Sequence, residues 1–139
     1  MTHGADMANI FELDMFGPHA AFHHLGLAVK SIKNAVTNDV EIVSDEIQRV
    51  SVAFVRMNGI NIELIEPLAE NTPITSSLKR DVRLVHMCFT VPDIREAIQR
   101  GRANGFHCIA KPVPAVAFGG KQIAWLFSKT YGLVELLEE

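Results

Sequence analysis

Two stretches of this chain alternate large apolar residues with small or polar ones at the period of two that marks a half-buried strand. In the first, Phe22 to Val29, one face carries Leu25, Leu27 and Val29 and the other His24, Gly26 and Ala28. In the second, Val85, Met87, Phe89 and Val91 share a face, with His86, Cys88 and Thr90 opposite. A large apolar face needs a cover, and each strand is followed at once by a helix signal. Asp93 is an N-cap with Glu96 three residues on, ahead of an apolar stripe of Ile94, Ala97 and Ile98 that Gly105 brings to an end. Ser31 holds the same cap position after the first strand.

The remaining pattern is mostly strand. A brief apolar run from Val40 to Val43, between Asn38-Asp39 and Ser44-Asp45, reads as a clipped strand. Val50 to Met57, then Asn58-Gly59, then Ile60 to Ile65 reads as a β-hairpin, because Asn-Gly readily takes the positive φ angles of a tight turn; Pro67 ends the pairing. Thr72 and Pro73 are the cap and first residue of a short helix through about Lys79. A strand around Cys108 to Lys111, a loop from Pro112 to Gly120 and a final hairpin of Gln122 to Leu126 and Leu133 to Leu137 complete the chain.

These elements form a repeat. Phe22 to Val36 lies without a gap over Leu84 to Ile98, so that His24 falls on His86. Val52-Ala53-Phe54-Val55, ending in Ile62-Glu63-Leu64-Ile65-Glu66, is echoed by Ile123-Ala124-Trp125-Leu126, ending in Val134-Glu135-Leu136-Leu137-Glu138. A duplicated unit points to duplicated architecture. The expected fold class is α+β: two paired βαβββ modules forming a curved, trough-like mixed sheet. Residues 1–20 read as an irregular lead-in and residues 21–139 as one domain, with a first module over about 21–68, a linker helix over about 72–80 and a second module over about 83–138. The first module is shortened, since Glu63 follows His24 by 39 residues and Glu135 follows His86 by 49.

Composition narrows the function without choosing it. At 139 residues, 48% hydrophobic, 21% charged and a net charge of −3, the chain lacks the basic excess of nucleic-acid or anionic-membrane binders. Its apolar runs are too short to span a bilayer, and the acidic start lacks the order of a signal peptide, so the expected compartment is the cytoplasm. Cys88 and Cys108 read as reduced thiols acting as small hydrophobes.

The chemistry lies on the less bulky face. His24 and His86 sit among small neighbours, away from the helix-covered side, and so point into the trough. Glu63, flanked by Ile62 and Leu64, and Glu135, flanked by Val134 and Leu136, alternate onto the same inner face. Two facing carboxylates in a partly enclosed sheet repel each other, and desolvating them without a partner costs several kcal/mol. A dication removes that penalty, and two imidazoles with two carboxylates suit Co, Ni, Mn, Zn or Fe(II). His23 alternates to the apolar side and is read as structural; His3, His19 and His107 receive no role.

In order along the chain, His23-His24-Leu25-Gly26-Leu27-Ala28-Val29, Val52 to Val55 through Ile62 to Leu68, His86 to Ile94 and Val134 to Glu138 resemble the vicinal-oxygen-chelate superfamily, in particular its methylmalonyl-CoA epimerase and glyoxalase I branch. The Gly119-Gly120-Lys121 loop is similar to the epimerase segment before the last hairpin. The resemblance implies a divalent metal held by His24, Glu63, His86 and Glu135, a small-molecule substrate such as an acyl-CoA thioester or hemithioacetal, and a homodimer. It implies a metal-dependent isomerase or lyase that moves the proton α to a carbonyl, with Glu135 as the proton-transfer residue. The alternatives are a glyoxalase I-like lyase of the lactoylglutathione type and a non-catalytic small-molecule-binding, resistance or biosynthetic accessory protein. Val52 stands where some epimerases carry a second acid/base glutamate, and the shortened first half implies a changed substrate or a rearranged dimer.

Overall fold

The computed structural model describes residues 9–139; residues 1–8, which include His3 and the beginning of the lead-in, lie outside the described residues. The first half runs β1 (Ala21–Ala28), α1 (Ile32–Ala35), β2 (Val43–Asp45), β3 (Val50–Met57) and β4 (Ile60–Pro67). Helix α2 (Pro73–Lys79) leads to β5 (Leu84–Val91), α3 (Ile94–Ala103), β6 (His107–Cys108), β7 (Val113–Pro114), β8 (Gln122–Ser128) and β9 (Gly132–Glu138), with a 3-10 turn at Val116–Phe118. The strands form one open, curved mixed sheet in the order β2-β3-β4-β1-β5-β9-β8-β6, with β7 also on β8. Among the described residues no helix is long and apolar enough to cross a membrane.

The repeat extends to strand register. β1 runs parallel to β4 with Gly26 beside Glu63, and β5 runs parallel to β9 with Cys88, the repeat equivalent of Gly26, beside Glu135. The halves join where β1 and β5 pair antiparallel, which sets Gly26 opposite His86 and His24 opposite Cys88. The outer face of the second half is covered by α3, whose Ile94, Ala97 and Ile98 pack on Leu126, Val134 and Leu136. Each of the larger of these side chains, the isoleucines, leucines and Val134, contributes about 1.5–3 kcal/mol by leaving water. Phe16 from the lead-in joins that core. Helix α1 has 4 residues against 10 in α3, and its Ile32 alone anchors it on Ala53, Ile62 and Leu64.

The caps also repeat. Ser31 Oγ accepts from the Asn34 N–H, and Asp93 accepts from the N–H groups of Arg95 and Glu96. The return bond of a capping box is absent, because Glu96 pairs with Arg100. In its place Glu138 accepts from the Ile94 N–H at 3.0 Å, and its repeat equivalent Glu66 accepts from the Ile32 N–H at 2.7 Å. Each half thus ties its helix to its own last strand. A carboxylate at a helix N-terminus also meets the positive end of the helix dipole.

Three local expectations are corrected. The clipped strand is Val43–Asp45, not Val40 to Val43: Asp45 accepts from Ile47 and Gln48 and turns the chain toward β3, while Val40 packs against the α1 core. The strand expected at Cys108 to Lys111 ends at Cys108, and a short pairing of Val113–Pro114 with β8 falls inside the expected loop. The third correction concerns strand faces. The β1–β5 ladder slips once between Phe22 and His24 and once between Gly26 and Leu27, leaving His23 on β1 and Val85 on β5 as extra residues. A β-bulge breaks the alternation and re-aims a side chain. Both residues leave the helix-covered face: Val85 packs with Val50, Val52 and Ile65, and His23 lies against His24.

Candidate metal centre

The hairpin at Asn58 and Gly59, with φ of 48° and 90°, brings β3 back as β4 in the register that places Glu63 beside Gly26. β9 delivers Glu135 beside Cys88 in the same way. His24, Glu63, His86 and Glu135 are all buried, and their ligand atoms lie within 4.8 Å of one another. His24 Nε2 is 3.3 Å from Glu63 Oε1, 3.3 Å from Glu135 Oε1 and 3.3 Å from His86 Nε2. His86 Nε2 is 3.4 Å from Glu63 Oε1 and 3.3 Å from Glu135 Oε1. All four residues singled out in the sequence therefore meet at one point.

Two features fit a cation at that point. Five of the six separations among the four ligand atoms are 3.3–3.4 Å, the edge of a tetrahedron whose centre lies about 2.0 Å from each corner, the ordinary zinc–nitrogen and zinc–oxygen distance. Glu135 Oε1 is buried without a hydrogen-bond partner, although two imidazole nitrogens stand 3.3 Å away, because the four atoms face a common centre instead of one another. An orphaned buried carboxylate oxygen is costly unless something positive fills the gap. The donor set is that of a first-row divalent metal.

The electrostatics of the protein alone point the same way. Burial disfavours charge on His24 and His86, but the facing carboxylates of Glu135 and Glu63 outweigh it: His24 is held above its ordinary value and His86 is raised from 6.5 to about 9. Burial pushes the Glu135 carboxyl up, yet His24 and His86 bring it from 4.5 down to about 2. Burial, then Glu135 and Glu63, drives the Cys88 thiol upward, so it stays protonated beside the site.

The surroundings are apolar and drawn from both halves. The His86 ring lies across Gly26, where a Cβ would sit 2.1 Å from its Cε1 atom. Glycine in a strand often marks such a close approach. Trp125 meets the edge of His86 with ring centroids 4.8 Å apart and donates from Nε1 to Gln48 Oε1 at 3.0 Å. Gln48 in turn donates to Asp45. Phe118 stacks on His24 at 6.0 Å, with Phe54 closing the same side. A cavity of about 360 Å³ opens from Glu63, His86 and Glu135 along Val52, Val85 and Trp125. A larger one, about 620 Å³, lies under residues 12–18 on the outer face and touches none of the four. Trp125, Gln48, Phe54 and Phe118 carry no periodic signal in the sequence; only the echo of Phe54 by Trp125 in the repeat marks two of them.

Comparison with known proteins follows the same lines. The glyoxalase/bleomycin resistance protein/dioxygenase superfamily matches residues 23–125. A protein of Cereibacter sphaeroides named ethylmalonyl-CoA/methylmalonyl-CoA epimerase is 29% identical over 126 residues, 82% of this chain and 94% of its own length. YqjC of Bacillus subtilis, an uncharacterised protein, is 32% identical over 83% of this chain and 89% of its own. The crystal structure of methylmalonyl-CoA epimerase from Mycobacterium tuberculosis superposes with a TM-score of 0.73 at 18% identity, over 95% of this chain and 94% of that one, a likeness of fold. On the breadth of the match to residues 23–125, the chain belongs to the glyoxalase/bleomycin resistance protein/dioxygenase superfamily.

Proposed function

We propose that this chain is a metal-dependent enzyme that moves the proton on the carbon next to a carbonyl, acting as an epimerase on an acyl-CoA thioester. The observation that carries the reading is the buried convergence of two imidazoles and two carboxylates at 3.3–3.4 Å beside an apolar cavity. His24, Glu63, His86 and Glu135 are the proposed ligands of a divalent ion, one of Co, Ni, Mn, Zn or Fe(II). When bound, such an ion supplies a Lewis acid that polarises the substrate carbonyl and acidifies the neighbouring C–H.

The chain's own groups do the rest. Glu135 is held ionised, as a base must be, and takes the α-proton, and Glu63, the other carboxylate on the cavity, supplies a proton to the opposite face, as inversion requires. Val52, Val85 and Trp125 keep water from the reacting carbon, which strengthens every charge interaction around it. The choice of a CoA thioester rests on the Cereibacter relative, whose name gives ethylmalonyl-CoA and methylmalonyl-CoA.

One observation favours a second reading. Val52 is buried against the cavity and cannot carry a proton, so the carboxylates available there are Glu63 and Glu135. A glyoxalase I-like isomerisation of a hemithioacetal needs no third one. The test loads the protein with Co²⁺ or Ni²⁺ and follows wash-in of deuterium at the α-carbon of methylmalonyl-CoA and ethylmalonyl-CoA, alongside turnover of methylglyoxal with thiols. Wash-in that disappears in Glu135→Gln supports the epimerase. Turnover of the hemithioacetal alone supports the second reading, and inertness toward both refutes the two together.

A further inference from the structure

The two bulges occupy repeat-equivalent positions, each just before a site histidine, yet their residues differ. Val85, before His86, is apolar and lines the cavity. His23, before His24, places its Nδ1 2.8 Å from His24 Nδ1. His24 is fully buried, its Nε2 faces the four-atom cluster, and its ring packs against Phe54 and Phe118. The edge of the His23 ring meets those same two phenylalanines, at 6.4 and 5.8 Å. One half of the site thus has an imidazole–imidazole contact behind its histidine, and the other has none at the matching place.

From this contact we infer that His23 is a positioning residue: its Nδ1 accepts the Nδ1–H of His24 and so commits the Nε2 lone pair of His24 to the cation site. The inference rests on the proposed ligand set. Two ring nitrogens 2.8 Å apart share one proton, and which ring owns it is not free to vary. Were His23 the donor, neutral His24 would carry its hydrogen on Nε2, aimed at Glu63 and Glu135, with no lone pair left for a metal. With His24 as donor, Nε2 is a ligand. His23 therefore accepts and carries its own hydrogen on Nε2. Metal-bound histidines ordinarily give their second N–H to a carboxylate, a carbonyl or water. Here the acceptor is a second imidazole, brought to the inner face by one extra residue in the strand.

The test measures Co²⁺ binding by calorimetry and by the visible spectrum of the bound ion, in the intact chain and in His23→Leu and His23→Asn. Asparagine can set an acceptor oxygen near the place of Nδ1, whereas leucine fills the space without one. Loss of such a supporting hydrogen bond costs about 10- to 100-fold in metal affinity. His23→Leu is therefore expected to bind about 10- to 100-fold more weakly and His23→Asn to recover most of the loss. In the Zn²⁺-loaded wild-type protein, long-range ¹H–¹⁵N correlations are expected to place the proton on Nδ1 of His24 and on Nε2 of His23, a readout that needs no variant. Unchanged Co²⁺ affinity in His23→Leu overturns the inference while leaving the ligand set standing, whereas a proton on Nδ1 of His23 overturns the inference together with His24 as a ligand. Failure of the wild-type protein to bind Co²⁺ overturns both.

Discussion

Gly26→Ala isolates the geometry of the proposed site with the smallest change of side chain. Gly26 does not lie in the left-handed region of φ, so the added methyl introduces no backbone strain and acts through contact alone. Its Cβ would stand 2.1, 2.3 and 2.6 Å from Cε1, Nδ1 and Nε2 of His86. Carbon atoms pack at about 3.5 Å, so the ring must retreat by about 1.4 Å, several times the ±0.2 Å that a metal–ligand bond tolerates. His86 then leaves the cluster, or β1 separates from β5. Overpacking of this kind costs about 1–3 kcal/mol, partly offset by the backbone entropy that alanine removes from the unfolded chain. A displaced ligand is expected to weaken Co²⁺ binding by at least about 100-fold, the upper end of what loss of a mere supporting bond costs. Titration calorimetry with Co²⁺ measures the affinity, and melting with and without the ion measures the linkage: at 100 times Kd the wild-type protein gains about 2.7 kcal/mol, and the variant gains little. Co²⁺ affinity within about threefold of wild type in Gly26→Ala would refute the reasoning.

Three further predictions concern charge and capping. In the metal-free protein the raised pKa of His86 contributes stability that is complete below 6.5 and lost as pH climbs through about 9, while the lowered pKa of Glu135 contributes stability that is complete above 4.5 and lost as pH falls through about 2. Melting in a chelator is accordingly expected to peak between about pH 4.5 and 6.5 and to weaken toward pH 9 by at most about 3 kcal/mol, the pair being counted once; a flat profile from pH 6 to 9 contradicts this. Metal affinity runs the other way and rises between about pH 6.5 and 9, because binding expels the protons that His24 and His86 hold; calorimetry in buffers of different ionisation enthalpy counts the protons released. Glu138→Ala removes the carboxylate that caps α3 and is expected to cost about 1 kcal/mol in urea denaturation without changing Co²⁺ affinity; a change in affinity would show that the cap also shapes the site.

Much of the arrangement was legible because it rests on two regularities that survive folding, alternation and repetition. Period two placed His24, His86, Glu63 and Glu135 on one face, and the duplication showed that the four belong together. The same alternation failed one residue away. Alternation assigns His23 and Val85 to the helix-covered face, whereas both are turned inward by bulges that arise from the pairing of β1 with β5 and leave no mark in either strand's own pattern. Glu66 and Glu138 were visible as part of the echo, yet their role depends on distant amides at Ile32 and Ile94, which no local pattern reveals. Val40 to Val43 read as a strand from hydrophobicity, whereas the observed pairing begins at Val43, where Asp45 turns the chain onto β3. The link from Trp125 through Gln48 to Asp45 crosses from one half to the other and follows only from the assembled sheet.

The central claim is that His24, Glu63, His86 and Glu135 hold one divalent ion. Crystals grown with Co²⁺ and measured on both sides of the cobalt absorption edge test it most directly. A single strong anomalous peak is expected about 2.0–2.2 Å from Nε2 of His24 and His86 and from a carboxylate oxygen of Glu63 and Glu135. A featureless anomalous map at that point, or cobalt bound elsewhere with the four side chains paired among themselves, contradicts it.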